Sequence, residues 1–373
     1  MVLSPGEVIV TDDYHTAGEP FRIVDLGEMQ GDSVLDRRSW AMQNLDDHRR
    51  FLCHEPRGHA DMYGGMVVPP DDAGGDVGIV FFHKDGFSTA CGHGTIAITT
   101  WAIDTGRITA PESGEVEVVV DVPSGRLRTV AHMVDGRVAS VRFTNVPSFV
   151  AATRLTVDTS FGPVTTDVSF GGAFYASVAI DDLGLTATAD RVDDLITLGR
   201  EVKAVLCDHP SSLHATDDRL SGLYGSIIHE TLGEDPLQER NVTIFADGQV
   251  DRSPCGSGTS ARLALLHHHG RIASGDPFQN HGVAGDVFTG RIVEVTDAGV
   301  VTSVEGSAHR HATTTFHLDP HDPIGDSPTT TPRPSWPSST CRRASRHSGR
   351  APWNWETSIP ARRCPSARPT TSS

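Results

Sequence analysis

The sequence predicts an α/β fold built from two similar lobes. Three observations carry that expectation. The stretch Cys91-Gly-His-Gly-Thr-Ile-Ala returns, little changed, as Cys255-Gly-Ser-Gly-Thr-Ser-Ala. Each copy follows strand-like sequence and leads into apolar helix formers, so one plan of strand, glycine turn, cysteine and helix occurs once per half. With 373 residues, the chain is long enough to bury a sizeable core in each half.

The elements follow in order. Val8-Ile-Val, Arg22-Ile-Val-Asp-Leu and Val77-Gly-Ile-Val-Phe-Phe are short β-rich runs. Between them, Leu35, Trp40, Leu45 and Leu52 recur at roughly helical spacing among charges, which predicts a helix over 34–53. The first cysteine motif opens a helix ending near Gly106, and strands follow at Val116–Val122 and Ala139–Phe143. In the second half Gly162–Ala176 reads as a hairpin and strand, Ala189–Cys207 as a helix and Val242–Phe245 as a strand. The second cysteine motif then opens a helix through Ser260-Ala-Arg-Leu-Ala-Leu-Leu-His. Two repeats are too few for a solenoid.

Composition removes several function classes. A net charge of −17 argues against nucleic acid as a general partner. The apolar runs are short and broken by Asp, Gly or His, which excludes a transmembrane span. The amino terminus enters strand-like sequence with no signal-peptide pattern, so a cytoplasmic location is expected. Six cysteines form no regular framework and include no CxxC, so free thiols are expected rather than disulfides or structural zinc. Lysine occurs only at Lys84 and Lys203, which leaves few candidates for the Schiff base that pyridoxal phosphate needs.

A thiol works as a base only as its thiolate. Glycines at a helix start expose backbone amides that favour an anion and let the chain approach a ligand. Two such starts facing one another would place one sulfur on each face of an α-carbon, with the carboxylate held by both sets of amides. One sulfur removes the α-proton while the other delivers a proton to the opposite face, inverting the centre. The pair must share one proton for both roles to be filled. Cys53 and Cys207 lack the glycine turn and read as small buried fillers. His267-His-His reads as a solvated helix end rather than a metal site, and His15 and Glu19 read as structural. His309, His311 and His317 alternate on a probable strand.

Several long motifs resemble those of the proline racemase family. They are Asp13-Tyr-His-Thr-Ala-Gly-Glu-Pro-Phe-Arg-Ile-Val, Glu55-Pro-Arg-Gly-His-Ala-Asp-Met-Tyr-Gly, Ala90-Cys-Gly-His-Gly-Thr-Ile-Ala, and Asp251-Arg-Ser-Pro-Cys-Gly-Ser-Gly-Thr-Ser-Ala, with Phe170-Gly-Gly-Ala-Phe-Tyr-Ala between. The resemblance covers roughly residues 7–325 and implies a diaminopimelate-epimerase-like fold. That fold has two pseudo-symmetric lobes, each a β-barrel-like sheet around a central helix, with the site between them. It places the first lobe at 1–150 and the second at 151–292, with a strand within 293–325 returning to the first. It also implies a mechanism without cofactor or metal. Carried over, Cys91 and Cys255 match the acid/base thiols, and Gly92, His93, Gly256 and Ser257 match positions that hold the substrate carboxylate and amine. Asp251 matches the acid that receives the ring nitrogen, and Tyr63 and Phe245 match pocket aromatics. The Tyr63 hydroxyl would suit a hydroxylated proline.

Cysteine at both positions favours racemisation or 2-epimerisation, since threonine or serine at one of them resembles the dehydratases of trans-3-hydroxyproline, or some hydroxyproline epimerases. The expected activity is therefore inversion of proline or hydroxyproline. A trans-3-hydroxy-L-proline dehydratase and a non-catalytic binding homologue are the alternatives, and a homodimer and a monomer both stay open. After Asp322-Pro-Ile-Gly-Asp the chain departs from the family pattern. Residues 327–373 are rich in Pro, Ser, Thr and Arg, hold eight arginines against one acid, and are expected to lie outside the fold as a disordered tail.

Overall fold

The computed structural model describes residues 6–322. The first half opens with strands β1 (Val8–Thr16) and β2 (Glu19–Val24), joined through Ala17 and Gly18. Both turn residues have positive φ, 55° and 81°, as a tight hairpin with right-twisting strands requires. Helices α1 (Val34–Asn44) and α2 (Asp46–Cys53) then cross over, so that β3 (Tyr63–Val68) lies parallel to β2. Strand β4 (Val77–His83) pairs antiparallel with β3, and the short β5 (Gly86–Phe87) folds back on it. Next come α3 (Gly92–Asp104), then β6 (Gly114–Val122) parallel to β4, and a meander through β7 (Gly125–Val134) and β8 (Arg137–Thr144).

The second half repeats this order. Strands β9 (Phe149–Thr159), β10 (Gly162–Phe170) and β11 (Phe174–Ala179) are antiparallel neighbours, and α4 (Val192–Leu206) crosses to β12 (Leu223–Glu234), parallel to β11. Strand β13 (Leu237–Phe245) pairs with β12 and carries the short β14 (Gln249–Asp251). Helix α5 (Gly256–His268) precedes β15 (Phe278–His281), which is parallel to β13, and a meander through β16 (Val287–Thr296) and β17 (Gly299–Gly306) follows. The last strand, β18 (Ala308–His317), pairs with β1 much as β9 pairs with β10. The two halves are joined edge to edge by β8 and β17.

The helices α3 and α5 are enclosed on every side. From Gly92 to Ala102 and from Gly256 to Leu266 every residue is buried. A helix without an exposed face needs no polar stripe. Polar side chains inside it are satisfied locally, as where Thr95, Thr99 and Thr100 donate to the carbonyls one turn back. In α5 the buried Arg262 makes a two-pronged ion pair with Glu239 on β13.

The helix expected over 34–53 is divided in two at Leu45, whose backbone leaves helical geometry. Leu45 is itself buried, and Asp46 and Asp47 restart the helix in its favourable first turn. Strand β7 is not among the expected strands, although Arg126, Arg128 and His132 alternate with the buried Leu127, Thr129, Ala131 and Met133 in the period of two that marks a half-buried strand. The tail assigned to 327–373 lies outside the described residues.

Candidate active site

Each of the two cysteines stands immediately before a buried helix. Cys91 has an extended backbone, and its Sγ accepts the amide N–H of Gly94 at 3.3 Å, so the thiol itself caps α3. Cys255 caps α5 differently, at φ 62° and ψ 100°. That is left-handed backbone for a residue with a side chain and costs on the order of 1–3 kcal/mol. Local bonds hold it there: Ser253 Oγ accepts the Cys255 N–H, and Thr259 donates its amide and its hydroxyl to the Cys255 carbonyl.

The repeated glycines have separate tasks. A Cβ on Gly92 would lie 2.4 Å from the Gly256 Cα, and one on Gly256 would lie 2.6 Å from the Gly92 Cα. The two helix starts therefore touch backbone to backbone, which only glycine allows. The second glycine of each motif makes room for the thiol, since a Cβ on Gly94 or Gly258 would come within 2.8 and 2.9 Å of its own cysteine's sulfur. The motif reads as one glycine for the neighbouring helix and one for the sulfur.

The other expected residues gather at the same place. His93 Nδ1 lies 3.4 Å from Cys91 Sγ and 3.9 Å from Asp251 Oδ2. Asp251 accepts the amide and hydroxyl of Ser253 at 2.9 and 2.6 Å. Ser257 Oγ bonds the Tyr175 hydroxyl at 2.6 Å. Tyr63 and Phe245 pack ring against ring at 5.7 Å, with His83 at 5.5 Å from both. Helix α4 fixes this aromatic wall from behind, because Lys203 Nζ donates to the carbonyls of Tyr224 and Ala246.

Burial dominates the charge states. It raises both thiols, and the neighbouring Asp251 carboxylate raises them further, against the opposing pull of the Gly94 and Gly258 amides. The helix start therefore does not by itself produce a thiolate here. Cys91 also feels the charge of Cys255. Burial pushes Asp251 up to about 6, while its bonds to Ser253 work in the other direction. Burial drops His93 to about 3, so the imidazole is neutral at pH 7 and its contact with Asp251 is not an ion pair.

Four more residues meet the site beyond those assigned to it from the sequence. The Tyr175 hydroxyl lies 3.8 Å from Cys255 Sγ. Tyr224 stacks on Phe245 at an interplanar angle of 4°, and its hydroxyl meets that of Tyr63 at 3.2 Å. Ser88 bonds the same Tyr63 hydroxyl. Glu19 lies fully buried beside Asp251. Tyr175 and Glu19 sit inside two of the long motifs, which is the signal that could have found them, whereas Tyr224 and Ser88 have no distinguishing local pattern. Among the described residues, no cluster of three or more His, Cys, Asp or Glu is placed to hold a metal ion. His269 at the end of α5 bonds Asp167 instead. No described helix is long and apolar enough to cross a membrane.

Comparison with known proteins follows the same lines. The model of the proline racemase family matches residues 10–327. The chain belongs to the proline racemase family. It is 40% identical over 323 residues to a trans-3-hydroxy-L-proline dehydratase of Burkholderia ambifaria, spanning 84% of this chain and 96% of that protein. The same identity and coverage hold for a 3-hydroxyproline 2-epimerase of Burkholderia multivorans. A crystal structure of a hydroxyproline epimerase from Agrobacterium vitis with bound trans-4-hydroxy-L-proline superposes with a TM-score of 0.79 at 29% identity, covering 86% of this chain and 94% of that one. The fold class is thus the expected diaminopimelate-epimerase-like α/β arrangement. As a family member the chain is an enzyme of the cofactor-independent racemase and epimerase type.

Proposed function

We propose that this proline racemase family member inverts the α-carbon of a proline-type amino acid, with trans-3-hydroxy-L-proline the first candidate substrate. One observation carries the reading: two cysteine-led helix starts touch at Gly92 and Gly256, each with its thiol folded over its own first turn. An α-carbon seated at that junction would have Cys91 on one face and Cys255 on the other. The thiolate of one takes the α-proton as the thiol of the other gives its proton to the opposite face, and the reverse direction exchanges the roles. Asp251 and neutral His93 receive the ring ammonium, which in turn favours the thiolate that burial opposes. Free amides of Gly92, Gly256 and Ser257 suit the carboxylate. The hydroxyls of Tyr63, Ser88 and Tyr224 form a polar end to an aromatic wall, which suits a ring bearing a hydroxyl more than an unsubstituted one.

A second reading is favoured by the name that several relatives share, trans-3-hydroxy-L-proline dehydratase. The first step is the same. The electrons of the broken Cα–H bond then form a Cα–Cβ double bond, the C–O bond at the 3-position breaks, and the departing hydroxide takes a proton from a thiol to leave as water. Cysteine at both acid/base positions supports inversion over elimination. Proton NMR of L-proline, trans-4-hydroxy-L-proline and trans-3-hydroxy-L-proline in heavy water separates the outcomes. Inversion with α-deuterium is expected. A pyrroline that reacts with o-aminobenzaldehyde would establish the lyase instead, and ligand-induced stabilisation without exchange would indicate a binding protein.

A further inference from the structure

Glu19, the first residue of β2, is completely buried, yet among the described residues no side-chain cation reaches its carboxyl group within hydrogen-bonding distance. Its Oε2 accepts one hydrogen bond, 2.8 Å from the backbone N–H of Arg252, the residue that follows Asp251. Its Oε1 is buried without any partner among the described residues. The Arg252 guanidinium stays 3.9 Å from Oε2 and is drawn toward Asp61, at 3.4 Å. Asp61 in turn accepts the N–H of Val250 on the other side of Asp251. Two carboxyl side chains of the first half therefore hold the backbone on either side of Asp251, the last residue of β14.

An anion at Glu19 would be a buried charge resting on a single hydrogen bond, far more costly than a neutral acid in the same place. The groups that face it are Asp251, Arg252 and Asp61. Burial and the Asp251 charge both drive it toward the neutral form, and only Arg252 opposes them. We propose that Glu19 is a positioning residue, kept as a neutral carboxylic acid, which fixes the backbone after Asp251 and so sets the carboxylate that receives the substrate ammonium. The pair then carries one negative charge in total, matched to one ammonium. The role of Asp251 rests on the function proposed above, but the protonation of Glu19 does not.

The test compares wild type with Glu19→Gln and Glu19→Ala. Glutamine copies the neutral acid, since it carries no charge and its carbonyl can accept the Arg252 N–H as Oε2 does. Infrared difference spectra at pH 7 are expected to show a protonated carboxylic C=O band in wild type, shifted in heavy water and missing in Glu19→Gln. In the racemisation assay, Glu19→Gln is expected to keep KM within about threefold of wild type, and Glu19→Ala to raise KM by ~10-fold with a smaller change in kcat. Identical spectra for wild type and Glu19→Gln would overturn the proposal, as would equal impairment of both variants. Should Glu19→Ala fail to fold, the spectral comparison with Glu19→Gln decides alone. That comparison needs no turnover, so it stands even if the assigned reaction is wrong.

Discussion

Both thiols are buried and raised, so neither is a standing thiolate at the site. The proposed chemistry asks the incoming ammonium to supply the compensating charge. Replacing Cys91 or Cys255 by serine leaves shape nearly intact but puts a far weaker acid in its place, and each single variant is expected to lose ~10²–10⁴-fold in racemisation rate, read by polarimetry. Asp251 gives a pH signature. It is held at about 6, against 3.8 for an ordinary aspartate, and its anion is the form that binds the amine. The acidic limb of kcat/KM is therefore expected to rise through about pH 6, as the apparent value of the Glu19–Asp251 pair. The same displacement has an opposite sign for stability. Between about pH 4 and 6 the unfolded chain loses this proton before the folded one, so the fold loses stability as pH rises through that window. Asp251→Asn is expected to remove most amino acid binding yet raise neutral-pH stability by ~1–3 kcal/mol in urea unfolding.

At the scale of elements, the structure turns on one short motif used twice. Gly92→Ala forces a methyl group against the Gly256 backbone, which must move the helix starts apart. The expected cost is ~1–3 kcal/mol of stability from overpacking. The accompanying loss of turnover is roughly 100-fold, because displacements near 1 Å spoil the alignment of reacting groups. Gly184→Ala is the control: unlike Gly92 it has a left-handed backbone, φ 64°, but a methyl group there meets open space, so stability falls slightly and kcat/KM is unchanged. The two cysteine helices are legible in the sequence because glycine is a poor helix former, so two glycines kept at the same places in both helix starts mark close contacts there. The break at Leu45 is not, since a buried leucine fits one long helix as well as two, whereas β7 is legible in the alternation of Arg126, Arg128 and His132 with Leu127, Thr129, Ala131 and Met133. The grip on the backbone either side of Asp251 depends on contacts across more than 180 residues, which no local pattern encodes.

Across the whole molecule, buried and exposed ion pairs carry unequal weight. Arg262 on α5 is the main partner of the buried Glu239, so Arg262→Met is expected to cost ~3 kcal/mol by leaving that carboxylate only the longer contact of Arg271, at 3.5 Å. Arg219 and Asp36 also bridge distant segments, but in the open, and Arg219→Ala is expected to cost at most ~1 kcal/mol. Thermal unfolding of the two variants gives the comparison. The candidate site is only partly visible in the sequence for a similar reason. Cysteine, glycine and aspartate announce themselves by motif, whereas Tyr224 and Ser88 enter the site only because β12 and the segment after β5 bring their hydroxyls to Tyr63. What the two halves share is the junction between them, and the most direct measurement follows the α-proton there. In heavy water, wild type is expected to exchange the α-hydrogen of its substrate for deuterium with inversion, and Cys91→Ser and Cys255→Ser to invert it ~10²–10⁴-fold more slowly. Inversion at the wild-type rate in either serine variant would rule out a pair of thiols as the acid and the base.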